Sequence, residues 1–281
     1  MSDSLTCLQL HAIEERLESR HLMDKSLIET FAREIAGTFR LHRLERAGTA
    51  DIRMLSLDEA YAVQEKFLAE RLAAGERAVG YKVGCTSPAI RTQFGLSEPI
   101  CGRLIAPRVY NDGVKLDINE YVDCALEPEL VLHIGSDLDG SDLEASHLRR
   151  AISAVSPGIE VHNYRFWYGN PSSQELIASN GIHAALVVGR KYELPCKLDL
   201  TAELTTLFVN GTETATGIGA EIMGGPIESL RWLLIHLRRR DRTIRAGDLV
   251  IPGSAAKLVH VKGGDIAEAR FTHFGSCRVN F

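Results

Sequence analysis

Two glutamates that could bind a metal ion, Glu127 and Glu129, lie two positions apart in the otherwise apolar segment 125–132. In a β-strand, side chains alternate between two faces, so both carboxylates would point to one side while Leu126 and Leu130 point into a core. Two like charges on a half-buried face repel each other, and a cation should compensate them. A hard divalent ion with oxygen ligands is one candidate. A lysine or arginine partner, or a solvated strand face without any site, is the alternative.

A lysine and a third carboxylate also lie among apolar residues. Lys82 is in segment 80–84, Gly-Tyr-Lys-Val-Gly, which predicts a short strand between two glycines. A lysine on a buried strand needs an anionic partner, although its long side chain can also extend to the surface. Glu160 lies in a strand that we expect to begin at Pro157, and it is able to reach the first two carboxylates.

The composition limits the classes of partner. The chain has 281 residues, 45% of them hydrophobic, and a formal net charge of −5, so it can form a core but has no basic field to attract nucleic acid. We find no segment near the roughly 18 apolar residues of a membrane span, and no secretory signal. The six cysteines are scattered, as is typical of reduced cytosolic thiols. We therefore expect a cytoplasmic protein with no nucleic-acid and no membrane partner.

The N-terminal part of the chain has the spacing of helices. The apolar residues of segment 27–39 mark one predicted helix, and Ser56 with Glu59 predicts a capping box for the next. We expect residues 1–79 to form a helical region packed on the main body. Residues 80–281 are expected to form one main domain, since no shift in composition divides them.

Turn signals separate short strands in the C-terminal part. The dipeptide Asn210-Gly211 lies between the strand-like segments 204–209 and 212–216, which predicts a hairpin with a type I′ turn. Paired Gly-Asp turns before short strands near the C-terminus indicate a curved antiparallel β-core. This β-rich ending makes a doubly wound parallel sheet a poor match.

Two further segments are assigned from local patterns. Leu148, Ile152 and Val155 have helical spacing and predict one face of a helix. Segment 92–104 contains two glycines and a proline and is predicted to be a loop. Together these patterns predict an α+β protein in which helices pack on a curved β-core.

The order of these segments resembles that of the 2-oxopent-4-enoate hydratase and 4-oxalocrotonate decarboxylase family, within the fumarylacetoacetate hydrolase superfamily. No single motif is specific, but the order and spacing of the matching segments together are. The resemblance covers roughly residues 30–281. The matching segments are Ala-Tyr-Ala-Val-Gln at 60–64, Gly-Tyr-Lys-Val-Gly at 80–84, Glu-Pro-Glu at 127–129, Gly-Ile-Glu-Val at 158–161, Gly-Ile-Gly at 217–219, Gly-Pro at 225–226, Arg-Ala-Gly-Asp at 245–248, Gly-Ser at 253–254 and Phe-Gly-Ser at 274–276. The resemblance implies a mixed β-roll with helices packed on it, and a homo-oligomer.

The resemblance also implies the composition of a site. Glu127, Glu129 and Glu160 would bind Mg²⁺ or Mn²⁺, and Lys82 would lie near a small 2-oxo acid substrate. A 2-oxo acid can chelate such an ion through its carboxylate and its 2-oxo oxygen, and the ion then stabilises an enolate. Water addition, loss of CO₂ and cleavage of a C–C bond can each use that enolate.

Two segments depart from the pattern of the hydratases in this family. Pro-Ile-Cys-Gly at 99–102 lacks the aspartate that hydratase-type members carry, and Ala-Ser-Asn-Gly-Ile at 178–182 stands where they tend to have Ala-Asp-Asn-Ala-Ser. His162, His183 and Ser254 are candidates to handle the proton and the water instead. An isolated histidine is more often a packed core residue, which is the structural alternative for the first two.

We therefore predict a divalent-metal-dependent hydratase of a 2-oxo-4-enoate or its 2-hydroxydienoate form in the catabolism of aromatic compounds, with Lys82, Ser254 and His162 as catalytic residues. The nearest alternative is a 4-oxalocrotonate-type decarboxylase or an acylpyruvate C–C hydrolase that uses the same ion. A further alternative is a catalytically drifted assembly partner. The missing aspartate favours that alternative, whereas the three intact glutamates and Lys82 disfavour it.

Overall fold

The computed structural model describes residues 25–37, 52–164 and 171–281 of the chain. These ranges contain six α-helices and thirteen β-strands. The helices are α1 (residues 25–37), α2 (Leu57–Ala73), α3 (Pro88–Gln93), α4 (Ala145–Ala151), α5 (Ser173–Ala178) and α6 (Pro226–Arg238). Residues 1–24 and 38–51 of the predicted helical region lie outside the described ranges. The predicted division into two regions stays a prediction.

The main sheet is mixed and carries the predicted metal ligands. Numbered along the chain, its strands are β1 (Ala78–Gly84), β2 (Ile100–Ile105), β3 (Val109–Asn111), β5 (Cys124–Ile134), β6 (Ile152–Asn163), β7 (His183–Val188), β10 (Leu249–Ile251) and β11 (Val259–His260). They are arranged in the order β2-β1-β10-β5-β6-β7-β3, with β11 paired to β5. β1 runs parallel to β10 and β3 runs parallel to β7, whereas the other neighbours are antiparallel.

A second sheet of five strands packs against the first. Its strands are β4 (Val114–Lys115), β8 (Leu204–Val209), β9 (Thr212–Ile218), β12 (Ile266–Phe271) and β13 (Gly275–Asn280), in the order β4-β13-β12-β8-β9. The predicted hairpin is confirmed, because β8 and β9 are antiparallel and the residues between them, Asn210 (φ 51°) and Gly211 (φ 79°), have the positive φ angles of a type I′ turn. The α+β fold with a curved, mixed β-core is confirmed as well.

The two faces of the main sheet bury different side chains. On β5, Leu126, Leu130 and Leu132 are buried in the large core that the two sheets share, as the alternation predicts. The opposite face holds a small apolar cluster, formed by Leu104, Val131, Leu186 and Ile251. Glu129 lies on this second face, two residues before Val131, so the face of β5 that carries the glutamates also carries part of the small apolar cluster.

Helix α2 is fixed at its start by the predicted capping box. The Ser56 hydroxyl accepts a hydrogen bond from the backbone N–H of Glu59, and the Glu59 carboxylate accepts one from the backbone N–H of Ser56. Arg240, just after α6, pairs with Asp58 of α2 at 3.0 Å and joins the two helices at the surface. None of the described helices is both long and apolar enough to cross a membrane.

Predictions of secondary structure are wrong in two segments. Ile152 and Val155 belong to β6, which begins at Ile152 and not at the predicted Pro157, because α4 ends at Ala151 and Ile152 already has extended backbone angles (φ −83°, ψ 111°). The long antiparallel pairing of β6 with β5 outweighs the local helical spacing. Segment 92–104 is not a loop throughout, because it contains the end of α3 and most of β2. The residues of β2 are buried on both faces, so they show no alternation that would have predicted a strand.

Candidate metal centre

The register between β5 and β6 brings the predicted metal ligands onto one face of the main sheet. Glu127 lies directly opposite Glu160, and Glu129 lies opposite Gly158. Because alternate residues of a strand share a face, the three glutamates and His162 point to the same side of the sheet. The two glutamates that are close in sequence therefore lie beside a third that comes from the next strand.

Lys82 and Glu160 form a buried ion pair on this face. Lys82 Nζ lies 2.9 Å from Glu160 Oε1, and the two side chains are 4% and 1% exposed. The ammonium group also donates a hydrogen bond to the backbone oxygen of Gly181 at 3.3 Å. The alternative in which Lys82 extends to the surface is therefore wrong, and the anionic partner of Lys82 is one of the predicted metal ligands.

Two histidines hydrogen-bond to the carboxylates. His162 Nε2 lies 3.1 Å from Glu127 Oε2 and 3.5 Å from Glu160 Oε2, and His183 Nδ1 lies 2.7 Å from Glu160 Oε1. An ionised carboxylate only accepts hydrogen bonds, so each of these nitrogens carries the proton and donates it. The other ring nitrogens, His162 Nδ1 and His183 Nε2, are buried and have no hydrogen-bond partner among the described residues.

Glu129 is held by the backbone. Its Oε2 accepts a hydrogen bond from the N–H of Gly253 at 3.1 Å, and its Oε1 is buried without a partner within the described part of the chain. Gly253 has a φ of 114°, and a Cβ there would lie 2.5 Å from Thr86 Cγ2, so only glycine fits this approach. No side-chain pattern predicted this backbone donor, and the glycine before Ser254 was the available signal.

The charges of the site shift the pKa values of its members in different directions. Burial lowers the pKa of Lys82, but the carboxylates of Glu160 and Glu127 outweigh burial and raise that pKa, so the amine is charged. Burial raises the pKa of Glu160, but Lys82 and the two histidines bring it well below its ordinary value. For Glu129, burial and the charges of Glu160 and Glu127 outweigh Lys82 and raise the pKa well above its ordinary value.

These residues fit a divalent cation. With all three carboxylates ionised, they and the ammonium group carry two net negative charges in a largely buried site, which a divalent ion would neutralise. The buried oxygens without a hydrogen-bond partner, Glu129 Oε1 and Glu160 Oε2, are ligands of the type that hard divalent ions take. Glu127, Glu160 and His162 each place a ligand atom within 4.8 Å of the others. The described residues thus include a group of carboxylates and a histidine that is able to hold a metal ion.

Ser254 lies beside the strand that carries two of the carboxylates, and its hydroxyl bonds to the backbone. Its Oγ is 2.9 Å from the carbonyl oxygen of Pro128, which lies between two of the glutamates, and 3.0 Å from that of Ala256. The structure thus brings Lys82 and His162 into contact with the carboxylates and places Ser254 next to the strand that carries two of them. The catalytic roles of these three residues stay predictions.

An apolar side chain lies where the resemblance implies an acid. A Cβ on Gly181 would lie 3.2 Å from Lys82 Nζ and 3.5 Å from Ile100 Cδ1, so the lysine and the isoleucine face the same glycine. Ile100 is itself buried. The ammonium group of Lys82 therefore has apolar surroundings on this side, and its hydrogen bonds go to Glu160 and to the backbone.

Comparison with known sequences finds one family and several curated relatives. The family described as fumarylacetoacetate (FAA) hydrolase C-terminal matches residues 109–281, more than half of the chain. The TodF product hydratase of Pseudomonas putida is 31% identical over 86% of this chain and 92% of its own length. The 2-keto-4-pentenoate hydratase of Paraburkholderia xenovorans is 30% identical over 81% of this chain and 84% of its own length.

Comparison with solved structures finds the same fold over most of the chain. The 4-oxalocrotonate decarboxylase of Pseudomonas putida G7, complexed with calcium and acetate, has a TM-score of 0.85 and is 26% identical. The similarity covers 92% of this chain and 98% of that chain. The structure of that enzyme complexed with magnesium and adipate gives a TM-score of 0.86.

Proposed function

This chain belongs to the fumarylacetoacetate hydrolase family, and we propose that it is a divalent-metal-dependent hydratase of a 2-oxo-4-enoate or its 2-hydroxydienoate form in the catabolism of aromatic compounds. It is then a hydro-lyase, and the relatives named as hydratases support this class of reaction. The proposal depends mainly on one observation. Glu127, Glu129 and Glu160 share one face of the main sheet, with Lys82 Nζ 2.9 Å from Glu160 Oε1.

We assign Mg²⁺ or Mn²⁺ to this site, with Glu127, Glu129 and Glu160 as its ligands. When bound, the ion would hold the carboxylate and the 2-oxo oxygen of the substrate and stabilise the enolate. Three carboxylates leave room for a substrate that contributes two oxygens. The magnesium complex of the structurally similar decarboxylase supports this choice of ion.

Lys82 supplies a fixed positive charge next to the same substrate oxygen. Its raised pKa keeps the amine protonated while negative charge develops on the 2-oxo oxygen. The ammonium group is already oriented by Glu160 and by the Gly181 carbonyl, so it needs little reorganisation as the enolate forms. On the side of the ammonium group that faces Gly181, the apolar Ile100 side chain offers no hydrogen bond to water.

His162 is the residue to which we assign the movement of a proton. Its Nε2 donates to Glu127, so its Nδ1 is a bare acceptor, buried and without a partner in the described ranges. An acceptor of this kind can take a proton from the substrate enol or from the water that adds to it. Ser254 Oγ, beside the Pro128 carbonyl, is the hydroxyl that we assign to orienting this water.

A decarboxylase is the second candidate. The TM-score of 0.85 with 4-oxalocrotonate decarboxylase favours it, because the two chains share the fold over almost their whole length. Loss of CO₂ from a 4-oxalocrotonate-type acid leaves an enolate that the same charges would stabilise. Hydrolysis of the C–C bond of an acylpyruvate would use the same groups.

We also propose a cytoplasmic location, a homo-oligomer and a small 2-oxo acid as the substrate. The five cysteines in the described residues are all free, which supports a reducing compartment. The net charge of −5 gives no support for a nucleic-acid partner. The homo-oligomer is supported by the resemblance to the family alone.

A spectrophotometric assay with analysis of the product tests the proposed reaction. The Mg²⁺-loaded protein is mixed with 2-hydroxypenta-2,4-dienoate, the loss of the dienol absorption is followed, and the mass of the product is measured. We expect a product that is heavier than the substrate by one water molecule, and no reaction by Glu160→Gln. A product without added water contradicts the hydratase, and a chain that binds neither Mg²⁺ nor Mn²⁺ would leave only the assembly partner.

A further inference from the structure

One oxygen of each glutamate in the candidate metal centre already accepts a hydrogen bond from the protein. The donor and acceptor pairs are Gly253 N with Glu129 Oε2 at 3.1 Å, His162 Nε2 with Glu127 Oε2 at 3.1 Å, Lys82 Nζ with Glu160 Oε1 at 2.9 Å and His183 Nδ1 with Glu160 Oε1 at 2.7 Å. The second oxygens of Glu129 and Glu160 are buried and have no partner among the described residues. Glu129 and Glu160 therefore each have one oxygen left to present to an ion.

Glu160 is the most constrained of the three glutamates, because Lys82 and His183 both donate to its Oε1. His183 is buried and makes the shorter of the two contacts. If both oxygens of Glu160 turned toward an ion, the histidine would lose its partner and the ammonium group would keep only the Gly181 carbonyl. Loss of partners by buried polar and charged groups is costly.

The turn that precedes His183 is strained in a way that fixes this contact. Asn180 (φ 61°), Gly181 (φ 65°) and Ile182 (φ 53°) are three consecutive residues in the left-handed conformation, which is unfavourable for a β-branched side chain. The Asn180 side chain bonds to the backbone N–H and C=O of Arg103 at 2.7 and 2.9 Å, so β2 holds the turn in place. The turn then delivers a carbonyl to the ammonium group and an imidazole to the carboxylate.

We propose that His183 is a positioning residue that, with Lys82, limits Glu160 to one oxygen and so makes the site prefer Mg²⁺ and Mn²⁺ to Ca²⁺. This inference rests on the divalent ion of the proposed function. Ca²⁺ takes about six to eight oxygens and often both oxygens of one carboxylate, whereas Mg²⁺ requires an octahedron of single oxygens. Three single carboxylate oxygens form half of an octahedron and leave the other half for a 2-oxo acid and a water molecule.

Calorimetric titration of the full chain with Mg²⁺ and with Ca²⁺ gives the ratio of the two dissociation constants. In His183→Leu, which lacks the donor, we expect the preference for Mg²⁺ to fall about tenfold or more, a change as large as the loss of metal affinity when residues that support a metal ligand are removed. In His183→Asn, whose side-chain amide can donate from near the position of Nδ1, we expect a ratio within about threefold of that of the unchanged protein.

Three results would overturn parts of this account, and they are distinguishable. An unchanged ratio in His183→Leu, with Mg²⁺ still bound, would overturn the positioning role and leave the proposed function intact. Tighter binding of Ca²⁺ than of Mg²⁺ by the unchanged protein would also overturn the proposed preference for Mg²⁺. This measurement does not depend on whether a variant folds. An unchanged protein that binds no divalent ion would overturn the proposed function and, with it, this inference.

Discussion

Lys82 Nζ and Glu160 Oε1 lie 2.9 Å apart in a pair of side chains that is almost wholly removed from water. Removing two charges from water costs several kcal/mol per ion, so such a pair is a weak source of stability by itself. The pair instead places an ammonium group next to a carboxylate whose other oxygen has no hydrogen-bond partner among the described residues. This arrangement suits the binding of a cation and of an anionic substrate at adjacent positions.

Replacement of the buried lysine is expected to damage both stability and activity. Lys82→Met leaves Glu160 without its cation, so we expect the free energy of unfolding of the metal-free protein to fall by about 3 kcal/mol. Loss of a charge beside the developing oxyanion is expected to lower kcat by about 100-fold or more. Urea denaturation measures the first effect, and the dienol assay with Mg²⁺ measures the second.

A lysine at the surface provides the matched control for this variant. Lys66 lies 3.5 Å from Glu29, and both side chains are exposed. Exposed pairs contribute about 0–1 kcal/mol, so Lys66→Met is expected to change neither quantity by much. Equal losses in the two variants would contradict the special role assigned to Lys82.

A buried histidine outside the metal centre makes stability depend on pH. His133 Nε2 lies 2.8 Å from Ser156 Oγ, and burial, with the charge of Lys191, lowers the pKa of His133 to about 4. The unfolded chain takes up this proton near pH 6.5, whereas the folded chain does so only near pH 4. The contribution of His133 to the free energy of unfolding is therefore fully present above about pH 6.5 and is lost as the pH falls toward 4.

His133→Gln is expected to make that decline shallower. Urea denaturation at several pH values between 4 and 7.5 gives the free energy of unfolding for the variant and the unchanged protein. The decline should not disappear, because burial also lowers the pKa of His236, to about 3. His147→Gln, which changes an exposed histidine, is the control. If His133→Gln and His147→Gln give the same curve, the assignment to His133 is wrong.

The capping box of α2 is expected to contribute to stability without affecting activity. Ser56→Ala removes the acceptor for the Glu59 N–H, so we expect the free energy of unfolding to fall by about 1 kcal/mol. For a chain of this size that corresponds to a Tm lower by about 2 °C, which calorimetry can measure. Ser56→Thr keeps the hydroxyl that accepts from the Glu59 N–H and donates to the Glu59 carboxylate, and should restore most of the loss. A Ser56→Ala protein as stable as Ser56→Thr would contradict the contribution of the cap.

The half of the metal centre that lies on β5 could be predicted because it depends on local alternation. Glu127 and Glu129 share a face in any regular strand, whatever its neighbours are. The position of Glu160 depends instead on the register between β5 and β6. A shift of one residue in that register would move the Glu160 side chain to the other face of the sheet. The pattern of residues indicated a third carboxylate able to reach the other two, but only the resemblance to a family made Glu160 a ligand of the same ion.

The contacts that hold the carboxylates could not be predicted from side-chain types. The Gly253 N–H and the Gly181 carbonyl are backbone groups, and their positions depend on turns with positive φ angles. Ile182 in a left-handed conformation is an exception to the preference of β-branched residues, so no propensity would have predicted it. Likewise, the helical spacing of Ile152 was misleading because strand pairing decides the conformation of that segment.

We propose above all that three glutamates from two strands bind one divalent ion. A titration with Mn²⁺ followed by electron paramagnetic resonance tests this claim most directly, with Glu213→Gln on the exposed edge strand β9 as the control. We expect one bound Mn²⁺ per chain in the unchanged protein and in the control, and binding at least about tenfold weaker in Glu160→Gln. Binding that is equally tight in Glu160→Gln would contradict the account.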